Sequence, residues 1–160
     1  MTAAEPTAAL DAQPRASWRP MVALFLAQVL MSFNVAALPV SIGGMVEDFD
    51  VPPTDVSTAI VMYGLFVAAL VMVGAKVGQR VGWVRTFRTV IGLFAIAELM
   101  MVAAPNVGWV IAAQSLAGAS AAIVVPSLVA LIAENYHGAQ QATAIGSLGS
   151  ARAISGVSAF

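Results

Sequence analysis

Gly74-Ala75-Lys76-Val77-Gly78-Gln79-Arg80-Val81-Gly82-Trp83-Val84-Arg85-Thr86-Phe87-Arg88 is the stretch on which the fold turns. It carries four cations, and its glycines recur at every fourth position, in a chain that is otherwise nearly free of charge. Before it stand apolar runs at 21–41 and 56–74; after it come runs at 89–104 and 108–133. Each lies near or above the roughly 17 to 25 residues that cross hydrocarbon as a helix, the third only when Thr86 and Arg88 are counted with it. A fifth segment alternating Ala, Gly, Ser and Ile begins near Ala142 and runs to Phe160. The expectation is an all-α membrane protein with spans at about 21–41, 56–75, 86–104, 108–133 and 142–160.

Composition agrees. Of the 160 residues, 60% are apolar and 9% charged, whereas a soluble domain carries about 25% charged residues to keep its surface wet. The net charge of -1 says little, because in such a chain the placement of charge matters more than its sum. Cysteine is absent, which removes disulfides and thiolate metal sites, and His137 is the single histidine. A phosphate loop would need a Gly-Lys-Ser/Thr ending that the glycine-rich stretch lacks. The cations are too few for a nucleic-acid partner. Soluble catalysis finds no support either, and no cofactor is implied.

Orientation follows from the loops, since cations near span ends are retained on the cytoplasmic side. Arg15 and Arg19 precede the first run, and Lys76, Arg80, Arg85 and Arg88 lie between the second and third. The first connection, 43–55, holds Glu47, Asp48 and Asp50 and no cation. These positions put the amino terminus in the cytoplasm and the acidic connection outside, in a plasma or bacterial inner membrane. Residues 1–20 are expected to form a disordered cytoplasmic tail, because Ala, Pro and Thr without periodicity bury too little to offset ordering entropy. Thr54 or Asp55 is placed to cap the second helix, and Pro39 and Pro126 fall inside helical runs. The unflanked ending reads as the front portion of a longer protein.

On a continuing helix Gly74, Gly78 and Gly82 would share one face and admit another backbone. The stretch resembles the signature loop of the major facilitator superfamily, roughly G-x-L-a-D-R-x-G-R-R. Arg80 and Gly82 match its first arginine and second glycine, and Arg85 supplies a later cation. Ala75, Gln79 and Trp83 depart from its first glycine, its aspartate and its next arginine. Ala36-Ala37-Leu38-Pro39, Tyr63 and the run from Ile111 to Pro126 look like the drug:proton antiporter branch with fourteen spans. There Gln114 stands where an arginine is usual, and Ala159-Phe160 where a Gly-Pro pair is common. The resemblance implies the amino-terminal part, about five helices, of a major-facilitator bundle. It also implies a cytoplasmic gating segment at Gly74, Gly78, Gln79, Arg80, Gly82 and Arg85.

Polar groups inside the runs nominate a path for substrate or ion. Glu98 is the carboxylate within a span, ten positions after Arg88 and so about 15 Å along the helix, near mid-membrane. A charge there costs on the order of 2.5 to 3.5 kcal/mol, which makes the residue a candidate proton carrier or else a neutral, hydrogen-bonded side chain. Arg152 reaches a similar depth if the fifth helix starts near Ala142, so an ion pair with Glu98 is allowed. A start near Gly149 would instead let it snorkel to headgroups. Gln28 and Ser32 share a face of the first helix; Gln114, Gly118 and Ala122 share a face of the fourth. Gln28, Glu98, Gln114 and Arg152 are therefore the expected pathway residues. The function expected is secondary transport of a small solute, as drug or organic-anion efflux by alternating access, drawing on a proton gradient and completed by the remaining helices of a full-length transporter. The alternative is a non-transporting truncated membrane module or partner subunit.

Overall fold

The computed structural model describes residues 16–158, which form five α-helices: α1 (Arg19–Phe49), α2 (Pro53–Val81), α3 (Trp83–Val102), α4 (Val107–Asn135) and α5 (Gly138–Ser158). Each helix begins before the apolar run that announced it, and α1, α2 and α4 also end beyond theirs. Hydropathy stops where lipid stops, but a helix satisfies its own backbone and can continue into the headgroups, where Glu47 and Asp48 of α1 reach water. The acidic connection thus shrinks to 50–52. Asp50 closes α1 in the left-handed conformation (φ 51, ψ 50) with its N–H on the Val46 carbonyl.

Capping differs from expectation. Pro52 holds the cap position of α2 and no side chain caps the helix; Thr54 turns its hydroxyl to the Asp55 carboxylate at 3.4 Å instead. Proline at the first helical position has no N–H to satisfy, which reduces the need for a cap. Pro39 and Pro126 do sit inside α1 and α4.

The glycine-rich stretch is not a loop. Helix α2 continues through Gly74, Gly78 and Arg80 to Val81, and α3 begins at Trp83, so a single residue separates them. That residue is Gly82, with φ 95 and ψ 136, a backbone state that L side chains rarely adopt.

Helix α4 is the centre of the bundle. It packs most extensively against α2 and next against α3, while α1 pairs chiefly with α5. Lipid is as apolar as leucine, so close packing rather than hydrophobicity holds such helices, and small residues permit it. The buried face of α4 includes Ala113, Ala117, Gly118, Ala121 and Ala122. A Cβ on Gly118 would collide with the Tyr63 carbonyl oxygen of α2, and one on Gly74 would stand 2.8 Å from Ile123 Cγ1 and 3.0 Å from the Ala122 oxygen. The α2–α4 crossing is therefore closed at two levels by glycine, once from each partner. Phe94, Leu128, Ile132 and Tyr136 fill the larger spaces. Outward, α2 presents Val61, Leu65, Met72 and Val73. Helices α1, α2 and α4 are each long and apolar enough to cross a membrane.

The expected tail at 1–20 needs correction. Residues 1–15 lie outside the described residues, but Arg19 and Pro20 belong to α1, and Ala16 and Ser17 are bound to the α4–α5 turn. The Gln140 side chain accepts from the Ala16 N–H (3.1 Å) and donates to its carbonyl (3.3 Å). Tyr136 donates its hydroxyl to the Ser17 carbonyl at 2.9 Å and stacks on Trp18 with centroids 5.3 Å apart.

Candidate functional site

Helices α1 and α5 both start from the end that carries Lys76, Arg80 and Arg85, termed here the basic end. Arg152 lies fourteen residues into α5, about 21 Å by rise per residue; Gln28 and Ser32 lie about 14 and 20 Å into α1. Tyr63 comes from the other direction, ten residues after the start of α2, or about 15 Å in. Ser32 and Arg152 reach similar depths on α1 and α5, which run side by side. The four side chains, with Met31 and Val125, line an open cleft of about 380 Å³. Gln28 donates to the Ser32 hydroxyl at 2.8 Å, so the shared helix face read from sequence is a hydrogen-bonded pair. Arg152 is exposed on the cleft. The start of α5 at Gly138 explains its depth and excludes a helix that begins near Gly149.

Glu98 and Gln114 do not join that cleft. Because α3 begins at Trp83, Glu98 sits about 22 Å from the basic end and four residues before the helix ends at Val102, past mid-helix rather than at it. Its Oε1 accepts from Asn34 Nδ2 of α1 at 2.8 Å. Equal depth would have allowed an ion pair with Arg152, but among the described residues the bond is to Asn34. Gln114 is 1% exposed, and neither its Oε1 nor its Nε2 has a hydrogen-bond partner. Asn34 is buried in α1, and its partner comes from α3.

At the basic end a second hollow of about 400 Å³ is lined by Gly78, Gln79, Gly82, Trp83, Arg85 and Glu134, among others. Trp83 lays its indole on the bare backbone of Gly78, where any Cβ would strike the ring. Where the superfamily pattern has an arginine, an apolar ring fills the space. Glu134, from the last turn of α4, was not among the sequence candidates. Its signal was weak: a carboxylate at the end of an apolar run reads as an ordinary headgroup residue.

Comparison with known proteins places these features. The model of the Major Facilitator Superfamily matches residues 24–159. The chain is 29% identical over 115 residues to the puromycin resistance protein of Streptomyces alboniger, covering 72% of this chain and 23% of that protein. It is 26% identical over 143 residues to the lincomycin resistance protein of Streptomyces lincolnensis, covering 86% and 30%. It is 26% identical over 131 residues to the multidrug efflux pump LfrA of Mycolicibacterium smegmatis, covering 82% and 26%. The match thus spans 23% to 30% of the length of such relatives, and in each the matched segment includes most of this chain. With five helices, a glycine-closed crossing and a match along most of its length, this multi-pass membrane chain belongs to the Major Facilitator Superfamily.

Proposed function

We propose that the chain supplies amino-terminal helices of a secondary transporter that exports a small solute, of the drug or organic-anion kind, by alternating access. The observation that carries this reading is the cleft. Its wall is largely apolar, with Met31, Val35 and Val125, and it presents one cation, Arg152, beside the Gln28–Ser32 pair and Tyr63. A mostly apolar concavity with a few convergent polar groups is what a small-molecule site requires. The names of the relatives, drug resistance proteins and an efflux pump, favour the same substrate class.

In this scheme the remaining helices of the full-length transporter close the open side of the cleft, and two half-bundles rock about it. The Gly82 hinge and its neighbours Gly74, Gly78, Gln79, Arg80 and Arg85 form the gating segment. The basic end faces the cytoplasm of a plasma or bacterial inner membrane, by the retention of cations on that side. A proton gradient supplies the driving force.

The test uses the full-length gene product in vesicles, assayed for flux of a panel of cationic drugs and organic anions under an imposed pH gradient. Wild type should move at least one class, and Arg152→Ala should remove flux of anions first. Absence of flux for the whole panel, or an Arg152→Ala protein that handles every substrate as wild type does, would overturn the reading. A cysteine at Lys76 labelled from outside intact cells would overturn the orientation.

A further inference from the structure

The cluster of Leu38, Ala59 and Val110, against which Met101 packs, ties α1, α2, α4 and α3 together at one level. One helical turn toward the basic end from each of these residues stand Asn34, Tyr63, Gln114 and Glu98, three or four positions away in every case. Contacts agree with that register: Asn34 bonds Glu98, Tyr63 lies within electrostatic reach of Glu98, and Gly118, the next turn of α4, touches the Tyr63 backbone. Four helices thus bring four polar side chains to one level.

Hydrogen bonding at this level is incomplete. Asn34 serves one carboxylate oxygen of Glu98, while both amide atoms of Gln114 have no partner although the residue is 1% exposed. A buried orphan amide costs roughly 1 to 3 kcal/mol, and a carboxylate at membrane depth is costly without a cation. No cationic side chain bonds Glu98 among the described residues. One added proton would remove the charge of Glu98 and create one donor from which Gln114 Oε1 could accept.

We propose that Asn34, Tyr63, Glu98 and Gln114 form a proton site distinct from the substrate cleft. The Glu98 carboxylate takes one proton from water to become a carboxylic acid, and its new O–H donates to Gln114 Oε1 while Asn34 continues to donate to Oε1 of Glu98. On release the O–H bond breaks, the electron pair stays on the carboxylate, and the proton returns to water on the other side. Tyr63 belongs both to this level and to the cleft wall, so it is the physical link between proton and substrate. Among the described residues the ionisable group within electrostatic reach of Glu98 is Tyr63 of α2, which also lines the cleft that holds Arg152 of α5. Asn34 and Gln114 represent α1 and α4 and do not titrate.

This inference rests on the transport reading, but its first test does not need transport. In infrared difference spectra of the reconstituted full-length protein, acidification should raise a carboxylic C=O band that is lost in Glu98→Gln and shifted in Gln114→Leu and Asn34→Leu. Glu98→Asp, which keeps the acid, should retain a displaced band and serves if Glu98→Gln folds poorly. Persistence of an identical band in Glu98→Gln, or the absence of any band, overturns the site. In vesicles, Glu98→Gln should lose accumulation driven by a pH gradient. Unchanged gradient-driven accumulation overturns the proposal, whereas a wild type that moves no substrate overturns only the transport reading.

Discussion

Replacing Gly118 by alanine tests how the bundle is held. The added Cβ would lie 2.9 Å from Tyr63 Cα and 3.0 Å from its carbonyl carbon, with the carbonyl oxygen nearer still. Ordinary contact begins near 3.4 Å, so α2 and α4 must part by at least about 0.5 Å at the most extensive crossing in the molecule. The obstacle is backbone, which no rotamer can move aside. Overpacking of this kind costs about 1 to 3 kcal/mol, and alanine's better helix propensity returns at most about 1 kcal/mol. A net loss of about 1 to 2 kcal/mol changes the folded-to-unfolded ratio by roughly five- to thirtyfold. Unfolding of the full-length protein in mixed micelles titrated with a denaturing detergent would measure it. Gly92→Ala is the control, since nothing lies within 4 Å of its Cβ position; it should be neutral or slightly stabilising. A Gly118→Ala protein as stable as the Gly92→Ala protein would refute the close-crossing argument.

Other consequences can be checked with the same material. Gly82→Ala should destabilise by about 1 to 2 kcal/mol, because φ 95 penalises a Cβ even though the surrounding space is open, and the detergent midpoint should fall accordingly. Gly78→Ala should be milder in a Trp83→Ala background than alone, since the clash is with the indole; a double-mutant cycle with no coupling would contradict the seated ring. Asn34→Leu should lose about 0.6 to 1.7 kcal/mol, the range for interhelical hydrogen bonds in lipid, read from the same unfolding curves. Gln140→Ala combined with Tyr136→Phe removes the side-chain bonds to Ala16 and Ser17, and a spin label at residue 17 should become markedly more mobile; an unchanged spectrum would show that Trp18 packing alone holds the segment.

Much of the architecture was legible in the residues because lipid is an unforgiving solvent. It demands long apolar helices, it leaves cations at one end, and it rewards small residues where helices cross. The shared face of Gln114, Gly118 and Ala122 was readable from spacing, as was the glycine face of α2. The candidate site was less so. Spacing grouped Gln28 with Ser32 and Gln114 with Gly118, but it could not say that Arg152 shares a cleft with the first pair, or that Glu98 meets Asn34 across 64 positions of sequence. The segment at Gly74 to Arg88 misled because polarity was taken for a loop. Helix geometry is blind to that distinction, and only the φ of Gly82 breaks it.

The sequence by itself determined that this chain is helical and crosses lipid several times, because hydropathy and charge placement act residue by residue; its resemblance to the major facilitators rested on motif residues such as Arg80 and Gly82. Tertiary structure alone decided which polar groups meet. It seated Trp83 on Gly78, pressed Gly118 onto the Tyr63 backbone, turned Asn34 to Glu98, and left the Gln114 amide without a partner. Partnership depends on the relative height and rotation of two helices, and those are fixed by packing at distant contacts rather than by the residues that finally touch.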